Sequence, residues 1–390
     1  MPGRALPGAS EAPSPAVATL QAALEALDDP EVLSRYQEAP SKRDVVAAAE
    51  RVKTDAAKIG LMCGPGEAPS PAVSESLSAA LLQSVLALCA RCCALSGAGA
   101  GPTLRGDVRK LAGGVVEPCS ELLSAMGSGE DLKRRVGLVW QGCDAVAKAG
   151  LENRGALFKG LAKVMAVLKD TLREMAELEE GTASSSEGDD DGDDDGGADG
   201  ARQGGGDGAN GDGTAAAAAA AAAGGSTAGA RVVGCGCEAV VDLDFDPGRL
   251  DAAEQRLLSA CRALMEAATG IVRALGRALL QGPPLAAGEG GGPLDGWESA
   301  LFHAQNAQRS VEDLGAAMYP PQDVSDAAEA AGALAVTCDL LLDECPDPDA
   351  LGSELAALAE ALRAAHARVE EAAEAAGAEG QGEGGVEGAA

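Results

Sequence analysis

Seven apolar side chains spaced by three or four residues constrain the fold of this chain more than any other feature. They form one stripe along the segment 157–178: Leu157, Leu161, Val164, Leu168, Leu172, Met175 and Leu178. An α-helix returns to the same face about every 3.6 residues, so the spacing predicts an amphipathic helix. We interpret the stripe as bundle core. Because it is short for an autonomous coiled coil, a zipper-like partner surface is the alternative.

Similar patterns recur along both halves of the chain and predict six helices before residue 180 and four after residue 239. Only seven of the 390 residues are aromatic, and Ala and Leu favour helix over strand. The predicted fold class is therefore all-α, with two helical bundles, the second a four-helix bundle joined by short loops. Ser41 with Asp44 and Ser70 with Pro71 predict helix starts, whereas Pro118 predicts a kink or break.

A segment dominated by Gly, Asp, Ser and Ala divides the two halves. It runs from Gly181 to Ala230 and contains nine consecutive alanines at 215–223. No apolar side chain larger than Ala is available to offset the entropy of ordering, so we predict a disordered tether. The predicted domains are an N-terminal bundle at 1–180, a disordered linker at 181–238, a C-terminal bundle at 239–376 and a disordered tail at 377–390. An acidic segment that grips basic partners is the competing interpretation of the linker.

The negative charge is concentrated in the second half. Residues 1–180 carry a net charge of −3, residues 181–230 carry −9 and residues 231–390 carry −19. Such a surface repels phosphate backbones and anionic membranes, so we predict neither a direct nucleic-acid partner nor a membrane. No run approaches the roughly 18 uninterrupted apolar residues of a membrane span. Two basic clusters, Arg109 with Lys110 and residues 133–135, lack interleaved aromatics and favour solvated faces over nucleic-acid contact.

The cysteine pattern gives no clear metal site. Eleven cysteines occur without an N-terminal signal sequence, which favours a reduced intracellular setting. Cys89, Cys92 and Cys93 continue one apolar helical face and are predicted core residues. Cys235 and Cys237 lack the second pair of ligands that a zinc site requires. We therefore predict no metal and no cofactor.

No catalytic constellation is recognisable. The only histidines, His303 and His366, are not part of a nucleophile motif. The glycine-rich stretch 97–106 lacks the Gly-Lys-Ser/Thr ending of a phosphate loop and follows a helix, not a strand. Tyr319 precedes two prolines at a predicted helix end, where a structural role is sufficient and contact with a ligand is the alternative. We predict no catalytic, cofactor-binding or metal residues, and the partner-binding residues stay unknown.

Three stretches resemble one known family. They are "PTLRGDVRKLAGGVVEPCSELL" (102–123), "VGLVWQGCDAVAKAGLENRGALFKGLAKVMAVLKDTLREMAEL" (136–178) and "SVEDLGAAMYPP" (310–321). Their motifs and order are similar to those of the cyclin-D-binding protein family, the GCIP-like proteins. The resemblance implies an all-helical protein of two bundles, related in architecture to talin/vinculin-like modules. It also implies a non-enzymatic cytoplasmic and nuclear protein that binds D-type cyclins or helix-loop-helix factors and restrains cell-cycle progression.

The leading hypothesis is thus an intracellular interaction protein whose helices bind a cyclin or helix-loop-helix partner. The alternative is a cytoskeletal or scaffold adaptor built from talin-like bundles. A third hypothesis, an enzyme or metal protein, would depend on Cys235 and Cys237.

Overall fold

A computed structural model describes residues 14–63, 70–126, 132–184, 250–285, 292–319 and 322–382. For residues 181–184 and 379–382 it describes the backbone alone. Most of the predicted linker, with Cys235 and Cys237, lies outside these ranges, as do the two prolines that follow Tyr319.

Every regular element of the described residues is a helix, which confirms the all-α prediction. The twelve helices are α1 (Pro15–Glu25), α2 (Pro30–Leu33), α3 (Lys42–Met62), α4 (Pro71–Gly97), α5 (Pro102–Ala125), α6 (Leu132–Lys148), α7 (Asn153–Ser184), α8 (Ala252–Gln281), α9 (Pro293–Ala317), α10 (Val324–Asp343), α11 (Pro348–Leu351) and α12 (Ser353–Gly382).

Short polar side chains begin several of these helices, and the helix start predicted at Ser41 and Asp44 is confirmed. At α3 the backbone N–H of Ser41 donates to a carboxylate oxygen of Asp44 at 3.1 Å. The Asp44 N–H donates to the Ser41 hydroxyl at 3.3 Å. Each side chain thus satisfies a donor that the first turn leaves unpaired. Asp251 and Glu254 form the same reciprocal pair at α8, and Asp323 caps α10.

The first bundle consists of α3, α4, α5 and α6, each packed against its neighbours in a closed ring. The short α1 packs on α4 and α5, and α2 packs on α4. Its core contains mostly Leu, Val, Ala and Cys side chains. By length and composition, α4 is the one helix among the described residues that could cross a membrane. In this structure its apolar face is bundle core, and a core helix has the same composition.

Helices α5 and α6 approach each other closely at Pro118. The sequence predicted a kink or break there. Helix α5 continues through Pro118 to Ala125, so the helix is not broken, and the kink stays a prediction. Pro118 has no N–H to donate to the carbonyl of Gly114, four residues earlier. Gly142 of α6 lies directly over this carbonyl, and a Cβ atom at Gly142 would overlap its oxygen. The packing of α6 therefore covers the point at which the α5 hydrogen-bond ladder is interrupted.

The second bundle contains α7 as well as α8, α9, α10 and α12. The α7 residues Leu157, Leu161, Val164, Leu168 and Met175 share one core cluster with the helices that follow residue 250. The predicted domains placed this segment in the N-terminal bundle. In the structure, Ala156 in the first turn of α7 belongs to the first core, and the stripe from Leu157 onward belongs to the second. The same contacts confirm that the leucine stripe is bundle core.

The last described helix is longer than predicted. Gly352, with a φ of 49°, separates the single turn of α11 from α12. Residues with a side chain rarely adopt this left-handed conformation, which explains why glycine stands at the break. Helix α12 then continues to Gly382, past the predicted start of the tail at residue 377.

Candidate interaction surfaces

The junction between the bundles is built around Asn153, the first residue of α7. Its side-chain amide donates to the carbonyls of Gly99 at 3.0 Å and Leu285 at 3.3 Å. Its side-chain oxygen accepts the N–H of Gly101 at 2.8 Å. Arg154 adds hydrogen bonds to the carbonyls of Gly282 and Pro283. One buried amide therefore connects the loop before α5, the start of α7 and the segment after α8.

The glycine-rich stretch 97–106 has a structural role at this junction. The backbone N–H of Thr103, in the first turn of α5, donates to Glu298 of α9 at 3.1 Å, and the Thr103 hydroxyl donates to the other carboxylate oxygen. Helix N-termini attract anions because their first N–H groups are unpaired. Here a carboxylate from the second bundle takes the place that a phosphate would need.

The cysteine trio of α4 is buried. Burial raises the pKa of Cys89 and of Cys92 to about 12. Both thiols are therefore protonated near neutral pH, and neither is a ready nucleophile or metal ligand. Among the residues that the structure describes, no three His, Cys, Asp or Glu side chains come together as a metal site. These findings agree with the core role predicted for the trio.

One grouping of polar side chains was not predicted from the sequence. Ser299 and His303 of α9 both contact the same Glu344 carboxylate oxygen, the hydroxyl at 2.8 Å and the imidazole Nε2 at 3.2 Å. A hydrolytic triad needs the histidine between the serine and the acid, so that it can accept the serine proton. Here the carboxylate lies between the other two. The Nδ1 of His366 lies 3.9 Å from the Glu370 carboxylate, four residues along the same helix.

The remaining sequence candidates have structural partners. Arg109 pairs with Asp28 at 2.9 Å, and Arg135 pairs with Glu121 at 3.3 Å. Both basic clusters therefore take part in local ion pairs. Tyr319 follows the end of α9, and half of it is exposed. Its backbone N–H donates to the Ala316 carbonyl at 3.4 Å.

An exposed tryptophan marks the surface where α3 meets α6. Trp140 is 42% exposed, and its indole N–H donates to the Lys53 carbonyl at 3.2 Å. The Lys53 ammonium lies 5.3 Å from the centre of the indole ring and 2.6 Å from Asp144. The hydrogen bond to Asp144 raises the Lys53 pKa. We call Trp140, Lys53 and Asp144 the Trp140 face.

A second surface lies between α9 and α10. Its cavity of about 480 Å³ is lined by Asp313, Ala316, Ala317, Asp326, Glu329, Ala330 and Ala333. Val336 and Leu340 follow on α10 and are 62% and 39% exposed. We call these nine residues the α9–α10 groove. Sequence reasoning missed both surfaces, because the residues on each come from two helices and are exposed only once those helices have packed.

One protein-family model matches most of the first half of the chain. The model of the family described as Grap2 and cyclin-D-interacting, N-terminal, matches residues 44–181. No curated protein matches the chain. The matched region contains α3 to α6 and nearly all of α7, including the Trp140 face. Residues 44–181 are therefore similar to the N-terminal region of the Grap2 and cyclin-D-interacting family. The match includes two of the three stretches that carry the predicted family resemblance, 102–123 and 136–178, and confirms the resemblance there.

Proposed function

We propose that this chain is a non-enzymatic interaction protein that binds a D-type cyclin or a helix-loop-helix factor and restrains cell-cycle progression. The match of residues 44–181 to a family described as cyclin-D-interacting is the observation that carries the proposal. We further propose that the protein acts in the cytoplasm and the nucleus. Bundle surfaces are suited to this role because a partner helix can bind along the groove between two helices.

The Trp140 face supports the proposal from the structural side. Binding energy at protein interfaces is concentrated in a few residues, and tryptophan is enriched among them. Trp140 is exposed within the family-matched region, and its polar edge is already bonded to Lys53. A partner therefore gains the apolar ring face without leaving a buried indole N–H unpaired.

Affinity purification of the tagged full-length chain from its own cells, followed by binding of purified D-type cyclin, tests the proposal. We expect a cyclin or a helix-loop-helix factor among the stable partners. Replacing Trp140 with Ala should weaken direct cyclin binding by roughly tenfold or more. Phe302→Ala, at an exposed aromatic of the second bundle, is the matched control and should leave binding unchanged. Absence of a stable partner, together with turnover of a metabolite by the pure protein, would exclude the proposal.

The scaffold alternative rests on the two-bundle architecture. Co-sedimentation of the full-length chain with actin filaments would favour it. A diffuse cytosolic and nuclear distribution without filament binding would exclude it.

A further inference from the structure

The outward face of α10 exposes large apolar side chains that no helix of the described residues covers. Val336 and Leu340 are one helical turn apart, and Ala333 precedes them on the same side of the helix. On the opposite side, Leu334, Cys338 and Leu341 are fully buried in the second core. Helix α10 thus has apolar side chains on two opposite faces. One face is buried in the core, and the other is exposed.

The floor of the α9–α10 groove consists of small side chains. Ala316 and Ala317 come from α9, and Ala330 and Ala333 come from α10. Alanine projects little beyond the backbone, so a third helix can approach closely and bury its apolar side chains between the two. The groove therefore has the shape that an amphipathic helix requires.

The negative charge around the groove favours a positively charged partner. The segment 293–343, which spans α9 and α10, contains nine Asp or Glu residues and a single Lys or Arg, Arg309. Among the described residues, Asp313, Asp326 and Glu329 make no ion pair with Lys or Arg. These three carboxylates lie at the groove and are complementary to Lys or Arg side chains of a partner.

The same charge disfavours other occupants. Nucleic acid and anionic membranes are repelled. A second copy of the chain, with a formal net charge of −31, is repelled as well. An acidic or uncharged helix would leave the groove carboxylates without partners.

We propose that the α9–α10 groove binds one basic amphipathic helix of a partner protein. Apolar side chains of that helix cover Val336, Leu340 and the alanine floor, while its Lys or Arg residues pair with Asp313, Asp326 and Glu329. This inference rests on the proposed function, because it assumes that the chain acts by binding other proteins. It adds the surface on the second bundle and the chemistry of the partner.

A synthetic helix tests the groove directly. The probe is a labelled peptide of about 18 residues with Leu at helical spacing and Lys elsewhere, titrated with the full-length chain by fluorescence anisotropy. Two control peptides accompany it. One has the same composition in an order that breaks the apolar face, and the other has Glu in place of Lys. We expect the amphipathic basic peptide to bind most tightly.

Paired variants separate the groove from general charge attraction. Removing three groove charges with D313N, D326N and E329Q together should weaken binding by about tenfold or more. Removing three exposed charges of α12 with E360Q, E371Q and E374Q changes the net charge equally and should weaken binding by less than about threefold. Leu340→Asp should also weaken it. Equal binding by the two triple variants, or unchanged binding by Leu340→Asp, would overturn the inference.

The failure of this inference and the failure of the proposed function are distinguishable. A wild-type chain that binds the peptide in the groove but binds no cyclin or helix-loop-helix factor would keep the groove and exclude the proposed function. A chain that retains its cellular partners, while the two triple variants bind the peptide equally, would keep the proposed function and exclude the groove.

Discussion

The two bundles bring their helices together through different contacts. In the first, Gly142 of α6 packs on the α5 backbone at the Gly114 carbonyl. In the second, Gly315 of α9 packs against the Thr171 side chain of α7, and a Cβ atom at Gly315 would lie 2.6 Å from the Thr171 methyl carbon. A methyl group can move when χ1 rotates, whereas a helix backbone moves only with the whole helix. The helix spacing of the first bundle is therefore the less adjustable of the two.

Their surface charges differ as well. In the first bundle, cations and carboxylates pair across helices, as at Lys53 with Asp144 and Arg135 with Glu121. In the second, arginines pair with acids on α7, α8 and α12, but the α9–α10 groove keeps carboxylates without cationic partners. Two bundles with similar apolar cores thus have different surface charges. We therefore look for differences in function at their surfaces.

Gly142→Ala is expected to have one of the two largest effects on stability. The new methyl would overlap the Gly114 carbonyl and force α5 and α6 apart, which should lower the free energy of unfolding by about 2–3 kcal/mol. Gly137→Ala, on the exposed side of the same helix with nothing within 4 Å, is the control. It should raise that free energy by about 0.5–1 kcal/mol through helix propensity. Chemical denaturation measures both.

In the second bundle, Gly315→Ala is the counterpart of Gly142→Ala. Gly315→Ala should cost about 1 kcal/mol, less than Gly142→Ala, because Thr171 can change rotamer. Equal losses at Gly142 and Gly315 would contradict the distinction between backbone and side-chain packing.

The next effect concerns the junction that joins the bundles. Asn153→Ala removes three hydrogen bonds and leaves the half-buried carbonyls of Gly99 and Leu285 and the buried N–H of Gly101 without this partner. We expect a loss of about 2–3 kcal/mol and, by calorimetry, separation of one unfolding transition into two. Asn306→Ala on α9, which removes a bond to Arg309, should have little effect. A single transition in the Asn153 variant would show that other contacts keep the bundles coupled.

The sequence predicted local features well and long-range ones poorly. Helical spacing, the cap at Ser41 and the burial of the α4 cysteines follow from neighbouring residues, so they could be derived in advance. The position of α7 could not, because its apolar stripe fits either core equally well. The same holds for Asn153 and Glu298, whose partners lie up to 195 residues away in the chain.

Pro118 shows how such contacts change a local prediction. A proline within a helix removes one hydrogen bond whatever surrounds it. In the structure, Gly142 of another helix packs over the carbonyl that Pro118 leaves unpaired. No pattern within α5 contains this information. For the same reason, the Trp140 face and the α9–α10 groove were recognisable only after the helices had packed.

The stability of the first bundle at low pH should depend on one buried carboxylate. Asp55 is the one buried carboxylate among the described residues, and it accepts hydrogen bonds from Lys58 at 2.7 Å and Ser84 at 2.5 Å. Burial alone would raise the Asp55 pKa, but these two hydrogen bonds outweigh it, and the pKa is lowered. A lowered pKa in the folded state stabilises the fold above the unfolded-state pKa. This contribution is lost as the pH falls below about 4.

Asp55→Asn should therefore reduce the loss of stability between neutral and acid pH. At neutral pH the variant should be less stable by about 1–3 kcal/mol, because the charged hydrogen bonds are lost. Asp170→Asn, at an exposed carboxylate of α7, is the control and should leave the acid dependence unchanged. An Asp55 variant with the wild-type acid dependence would show that other groups control it.

The smallest expected effects are changes in melting temperature, which should be negative for a variant of the first bundle and positive for one of the second. Lys53→Gln removes the ion pair with Asp144 and the contact over Trp140, so it should lower the melting temperature by about 1–2 °C. Asp313→Asn removes a negative charge from the last turns of α9, where the helix dipole is unfavourable to it, and relieves repulsion from the other groove carboxylates. It should raise the melting temperature by up to about 1 °C. Salt screens both effects, so the two melting temperatures should converge on that of the wild type in about 1 M NaCl. If Asp313→Asn instead lowers stability at low salt, the carboxylate has a cationic partner, and the groove does not have the unpaired charge that we assign to it.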